Sequence, residues 1–526
     1  MKNSLYKWFL LLALIVPLAL TACGGDLEQA VEDAAQQVEQ AATEMAPQID
    51  EAATRAAEAL AEAQEAAQEA EEAAQEAEEM AEEAEEMVEE EEEVDLPYDA
   101  SIYGNIDEIE LDGTFVIFWH QHSGAREEEL LEIVDEFNAT NPYGIIVEAR
   151  NEGGYGDIYN KMIAGLTTGE VPGLTVAYQN QAAAYMVAEG LVDLDPYINH
   201  PEYGLSEAEL NDFFQAFIDG DRLPQFGNKP YGFPPNRSME MLYYNAEWLA
   251  ELSEAGAISF DGPPQTPEQF AEAACAATEN PFSKNTSGGS IGYQVRTDAS
   301  NYAALVFARG GDIFDYDNNQ FTLNTPEARD GLGQMKELLD AGCATRIAER
   351  FGDQTDFGNG QTLFTMGSSS GLPFYRAAVE GGATGGFDWS VGAIPHTTDD
   401  PVMNIYGASV SIPVTNPETQ LAAWLFVRYY TSTDVQAGWA RASNYFPVRA
   451  SVADGLDEYF AEEPAFEAAF RLLPYSKREA PVAGYDNIRD VMTGAFEEIL
   501  AGGDIDTVLA NAETEANRIL AEAAPE

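Results

Sequence analysis

Residues 113–150 read GTFVIFWHQHSGAREEELLEIVDEFNATNPYGIIVEAR, and the changes of period within this stretch decide the fold. A short, β-rich apolar run ends at Trp119. Residues 126–140 then carry Leu130, Ile133, Val134 and Phe137 at helical spacing. Asn141-Pro142 stops that helix, and IIVEAR resumes a strand. The pattern repeats: YGDIYNKMIAGLTTG (155–169) predicts a helix, GLTVAY (173–178) a strand, and QAAAYMVAEG (181–190) a helix. Strand and helix in alternation predict a parallel, doubly wound sheet. Ligands bind beyond the carboxyl ends of such strands. Those ends are Trp119-His120, residues 151–155 and Tyr178-Gln179.

Working outward, MEMLYY (239–244), TLFTM (362–366), WSVG (389–392) and ASVSI (408–412) predict further strands. TLFTM runs into a small-residue loop, GSSSG (367–371). QLAAWLFVRYY (420–430) predicts an amphipathic helix. The number of strands and helices after residue 96 calls for two α/β lobes rather than one.

The amino-terminal residues belong to another regime. Lys2 and Lys7 precede an apolar run that closes on Leu20-Thr21-Ala22-Cys23. A charged start, a short apolar core and a small-residue cleavage site predict a secretory signal over residues 1–22. The order around Cys23 resembles a bacterial lipobox, which implies lipidation of Cys23 and an anchor on the outer face of a membrane. Residues 23–95 are mainly Ala, Glu and Gln, with small and apolar residues at 3,4 spacing. They predict either a thin coiled-coil stalk or a solvated, partly disordered spacer. The domain of interest is then 96–526.

The net charge is −68. Residues 24–95 hold 27 acidic residues and one basic, and residues 96–526 hold 66 and 22. Both parts would repel nucleic acid. So acidic a domain is also expected to hold few cations near any one ligand.

No P-loop or HExxH motif is present. His120 and His122 lack a further His or Cys ligand nearby, so neither a metal nor a cofactor is expected. Carboxylates are too numerous for a catalytic pair to stand out, and the chain is read as a non-enzyme. GGYG (153–156) reads as a flexible ligand loop. Trp119, Tyr155, Tyr178, Tyr231, Trp389, Tyr406, Tyr445 and Tyr485 fall at strand ends and loops. About half are expected to line a cleft, where flat rings stack on the apolar faces of sugars. Cys275 and Cys343 either pair, in an oxidising exterior, or stay as buried thiols.

The segments FVIFWHQHSG, IVDEFNATNPYGIIVEA, GGYGDIYNKMIAG, GLTVAYQNQAAAYMVAEGLVDLDPYI, YGFPPNRSMEMLYYN, MGSSSG and SNYFPVRASV follow in order. Together they resemble the extracellular solute-binding proteins of ABC importers, in the sugar and glycerol-3-phosphate branch. The resemblance covers about residues 110–515. It implies two lobes on a hinge, one solute between them, and an ABC permease as partner. The branch's binding positions fall at Tyr155, Ser238, Ser368 or Ser369, Tyr406-Gly407, Tyr445 and Arg489. A glutamate that takes glycerol hydroxyls in that branch falls at Gln179, which still donates and accepts. Trp119 and His120 join the set as strand-end residues.

Arg489 separates the ligand classes. A guanidinium grips phosphate with paired hydrogen bonds, so a cleft that uses it suits a phosphorylated polyol. If Arg489 instead pairs with Asp490 or Glu497, the remaining Tyr, Trp, Ser and Gln side chains suit a neutral oligosaccharide. A structural or adhesive surface protein is the alternative from another class.

Overall fold

The computed structural model describes residues 96–523 apart from Arg350, together with the isolated Ala61. The signal, the Cys23 site and all of the stalk but Ala61 lie outside the described residues. Among the described residues no helix is long and apolar enough to cross a membrane.

In chain order the main elements are β1 (Phe115–His120), α1 (Ala125–Thr140), β2 (Ile146–Asn151), α2 (Tyr155–Thr168), β3 (Leu174–Ala177) and α3 (Gln179–Met186). Then follow β4 (Ser238–Asn245), α4 (Pro267–Glu279), β5 (Ile291–Val295), α5 (Ala299–Phe307), α6 (Pro326–Asp340) and β6 (Ala344–Arg346). Next come β7 (Thr362–Ser368), β8 (Trp389–Gly392), β9 (Met403–Tyr406), β10 (Ser409–Ser411), α7 (Pro417–Tyr430) and α8 (Thr433–Ser443). The chain ends with β11 (Ser476–Arg478), α9 (Tyr485–Leu500) and α10 (Ile505–Ala523).

The first lobe holds a four-stranded sheet in the order β10-β3-β1-β2. β1 runs parallel to β2 and β3, as the opening stretch predicts, and β10 adds an antiparallel edge. The second lobe holds a seven-stranded sheet, β6-β5-β7-β4-β9-β11, with β8 also on β4. Within it β4 runs antiparallel to β7, β8 and β9. The chain passes between the lobes at 236–238, at 406–409, and again between α8 and β11.

Helix α7 corrects an expectation. Gln420, Leu421, Ala422, Ala423, Trp424, Leu425, Phe426, Val427 and Tyr430 are all buried, so the helix is enclosed by the first lobe rather than amphipathic on its surface. GGYG is no free loop: Tyr155 opens α2, and the Gly154 N–H donates to Asp157 Oδ2 at 2.8 Å. Cys275 on α4 is disulfide-bonded to Cys343, which lies just before β6.

Candidate functional site

A cavity of about 450 Å³ opens between the lobes. Its second-lobe wall is built at the carboxyl ends of strands. Arg296 follows β5, Ser368 ends β7, Tyr406 ends β9, and Arg478 ends β11. The first lobe contributes Tyr178 and Gln179, which follow β3. β4 enters with its beginning, because it runs against its neighbours. Its Glu240 stands opposite Ser368, and its Ser238 opposite Tyr406.

Charge fills this cavity. Arg237, Arg296, Arg478 and Arg489 line it, with Glu240, Asp298, Glu479 and Asp486. Most of these charges are already engaged. Arg489 pairs with Glu479 and donates to Ser300 Oγ at 2.9 Å. Tyr485 and Arg489 lie one helical turn apart on α9, so both reach Glu479. Burial works against the Glu479 charge, yet Arg489 and hydrogen bonds from Asn404, Tyr485 and Ser300 hold its carboxyl below the ordinary value. Arg237 donates to Asp221 Oδ2 at 2.8 Å, and Arg296 pairs with Asp353 at 2.6 Å.

Two charges stand apart. Arg478 has no carboxylate partner among the described residues, and its Nη1 is buried without a hydrogen-bond partner. Its guanidinium lies 5.3 Å from the Tyr316 ring centroid. Glu240 is 2% exposed and has no basic partner within ion-pair distance among the described residues. Tyr406 Oη–H donates to it at 2.6 Å and Asn301 Nδ2 at 3.1 Å. Burial first, and Asp298 second, push its carboxyl from 4.5 up to about 8. Its neutral form is thereby favoured more than that of an ordinary carboxylate.

The residues expected from the sequence divide. Gln179, Ser368, Tyr406 and Arg489 line the cavity. Tyr155 and Tyr445 line a neighbouring space, and the Tyr155 ring meets Tyr178 edge-on at 4.8 Å. Tyr178, Tyr406 and Tyr485 are the cavity's aromatics, whereas Tyr231 and Trp389 pack in the cores.

Several expectations need correction. Trp119 is buried between Lys161, 4.0 Å above its ring, and a small apolar cluster, so its strand face turns from the cleft. His120 is 0% exposed on the opposite face, between Phe118 and His122. Ser238 is buried and Ser369 is 0% exposed; neither lines the cavity. Ser369 Oγ accepts the Met239 N–H at 3.1 Å, which ties the loop after β7 to β4. GSSSG also fits the G-x-S-x-G spacing of hydrolase elbows, but Ser369 is occupied in this way and no histidine is among the described residues that line the cavity. Gly407 sits at the lobe crossing with φ +149°, where a Cβ would lie 3.3 Å from Arg237 Cα. Its carbonyl accepts from Gln179 Nε2 at 3.2 Å. That same nitrogen donates to Asp221 at 2.8 Å, so the Gln179 amide braces the hinge. Arg489 pairs with Glu479 rather than with Asp490 or Glu497. The expectation of few nearby cations also fails, since four arginines share one cavity.

Sequence reasoning missed Arg237, Glu240, Arg296, Arg478 and Glu479. The available signal was charge in apolar company: NRSMEMLYY and YSKRE place charged residues within or beside strand patterns.

Two α/β lobes joined by several crossings, with a charged cavity between them, define a receptor that encloses a small solute. A family model described as bacterial extracellular solute-binding protein matches residues 132–468, and the chain belongs to that family. Among its relatives is the sn-glycerol-3-phosphate-binding periplasmic protein UgpB of Shigella dysenteriae, 23% identical over 77% of this chain and 91% of that protein. Similar solved structures include the cyclic α-maltosyl-1,6-maltose binding protein of Arthrobacter globiformis. It has a TM-score of 0.66 at 21% identity and covers 78% of this chain and 99% of its own. UgpB of Mycobacterium tuberculosis, solved with glycerophosphocholine, gives 0.63 at 20% identity, over 78% and 99%.

Proposed function

We propose that this solute-binding protein takes a phosphorylated polyol of the glycerol-3-phosphate kind, with the phosphate on Arg478. Arg478 Nη1 carries this reading: it is a buried donor without a hydrogen-bond partner, on the one cavity arginine that no carboxylate neutralises among the described residues. A buried donor left unpaired costs about 1–3 kcal/mol, and a phosphate oxygen would relieve that cost. Arg489 adds its field but shares its charge with Glu479. Burial disfavours the charge on Glu240, which makes the pocket less negative. Tyr406 and Ser368 face the hydroxyl end. Relatives named for sn-glycerol-3-phosphate binding agree with this choice.

In the full chain we place the signal at 1–22, a lipid on Cys23, a spacer over 23–95 and the receptor at 96–526. The protein then works outside the cytoplasm, held at the membrane, and hands its solute to an ABC permease by binding and release without catalysis. The neutral oligosaccharide remains the second reading, supported by the aromatic rings of the cavity.

Isothermal titration decides between them. Arg478→Ala is expected to weaken glycerol-3-phosphate roughly tenfold to a hundredfold and Arg489→Ala less. Maltose-type sugars should change little. Binding of the neutral sugars alone, equally by wild type and Arg478→Ala, would overturn the phosphate reading.

A further inference from the structure

The four arginines of the charged cavity are held in place by partners of two kinds. Carboxylates hold three of them: Asp221 holds Arg237, Asp353 holds Arg296 and Glu479 holds Arg489. A carboxylate positions a guanidinium but also neutralises its charge and occupies one or two of its donors. Arg478 has no carboxylate partner among the described residues. What stands against it is a ring. Its guanidinium lies 5.3 Å from the Tyr316 centroid, within the reach of a cation–π contact. A ring face fixes a guanidinium and takes no N–H from it.

Tyr316 does not line the charged cavity. It lines an adjoining space of about 450 Å³, and Arg478 borders both. The tyrosine stands at the tip of a short hairpin, in which Phe314–Asp315 pairs with Gln320–Phe321. The tip is fixed locally. The Asp315 carboxylate accepts the N–H groups of Asp317 at 3.0 Å and Asn318 at 3.1 Å, and the Asn318 amide at 2.7 Å. One arm is tied to β11, because Lys477, the residue before Arg478, pairs with Asp312 at 2.8 Å and donates to the Gly311 carbonyl at 2.9 Å. On the other arm, Phe321 stacks on Tyr485 and exchanges two hydrogen bonds with Asn517 of α10. The ring therefore meets the guanidinium from a platform anchored to β11 through one arm and to α9 and α10 through the other.

We infer that Tyr316 is a positioning residue for solute binding: its ring face holds Arg478 at the cavity with charge and donors free, so that the guanidinium stays available to an anionic group of the solute. This inference rests on the phosphate reading above and says how its arginine is kept in place. In a chain of net charge −68, a loose arginine would readily find a carboxylate. Burial raises the Tyr316 hydroxyl, Arg478 opposes the rise, and Asp312 and Glu479 add to it, so both carboxylates are within electrostatic reach. Each is engaged by another cation, Asp312 by Lys477 and Glu479 by Arg489. The ring and these two ion pairs together leave Arg478 positioned and unneutralised.

The probe is glycerol-3-phosphate, titrated calorimetrically against the full-length protein and its variants. Tyr316→Ala is expected to weaken binding about three- to tenfold, and Tyr316→Phe, which keeps the ring face, by less than about twofold. With Arg478 already replaced by alanine, Tyr316→Ala is expected to change nothing further, because a residue that acts through another has no effect once that other is gone. Tyr316 is 37% exposed, so the substitutions leave the core intact, which unchanged melting temperatures check. Three results would each overturn the inference while Arg478→Ala still weakens the probe and the phosphate reading stands. They are no loss in Tyr316→Ala, an equal loss in Tyr316→Phe, and a loss that persists in the Arg478→Ala background. If wild type does not bind glycerol-3-phosphate, or Arg478→Ala binds it as tightly, both readings fall.

Discussion

Glu240 shows how one residue sets the chemistry of the cleft. It faces Asp298, Glu479, Arg296 and Tyr406, and its proton is held by burial and by the neighbouring negative charge. Its folded value, about 8, lies above its ordinary 4.5. Between those values the folded state binds a proton that the unfolded state has released. The contribution to stability is therefore fully present below about 4.5 and is lost as pH rises through the window to about 8. Glu240→Gln should flatten the fall in stability across pH 5–8, by up to about 1.4 kcal/mol per pH unit. Urea denaturation of both proteins at several pH values measures this. An identical pH profile for the variant would show that Glu240 is ionised in the folded protein.

At the scale of elements, strand direction decides which residues meet. The ends of β5, β7, β9 and β11 deliver Arg296, Ser368, Tyr406 and Arg478, as the carboxyl-end rule expects. β4 runs antiparallel to β7 and β9, so its first residues arrive where its neighbours' last ones do. A reader who looks only at strand ends passes over Arg237 and Glu240 for this reason. The second lobe is also closed covalently by Cys275–Cys343, across a separation of 68 residues. A loop of that length contributes roughly 4 kcal/mol by restricting the unfolded chain. Replacing both cysteines with alanine should lower the melting temperature clearly, and reductant should then have no further effect. A variant that melts with the oxidised wild type would show that the bridge adds nothing.

At the scale of the whole molecule, the cavity proposed for the solute lies between lobes connected by narrow crossings. A ligand that touches both lobes favours the state in which they approach, and so shifts the population toward it. Small-angle scattering with saturating glycerol-3-phosphate should give a smaller radius of gyration than without it. An unchanged profile at saturation would count against lobe closure.

Residues 113–150 and their repeats determine the first lobe without help, because the helical and strand periods of apolar side chains are local properties of a chain. The ordered segments from FVIFWHQHSG to SNYFPVRASV likewise carry the family, and the resemblance singled out Gln179, Ser368, Tyr406 and Arg489, which line the cavity. Tertiary structure alone decided what covers each face of β1, which buried Trp119 on one and His120 on the other. It also decided that Arg489 is paired, because Glu479, ten residues earlier, folds back onto it, while Arg478 has no carboxylate partner among the described residues. Pairings of that kind depend on how β11 and α9 are placed in space, and no local period encodes that placement.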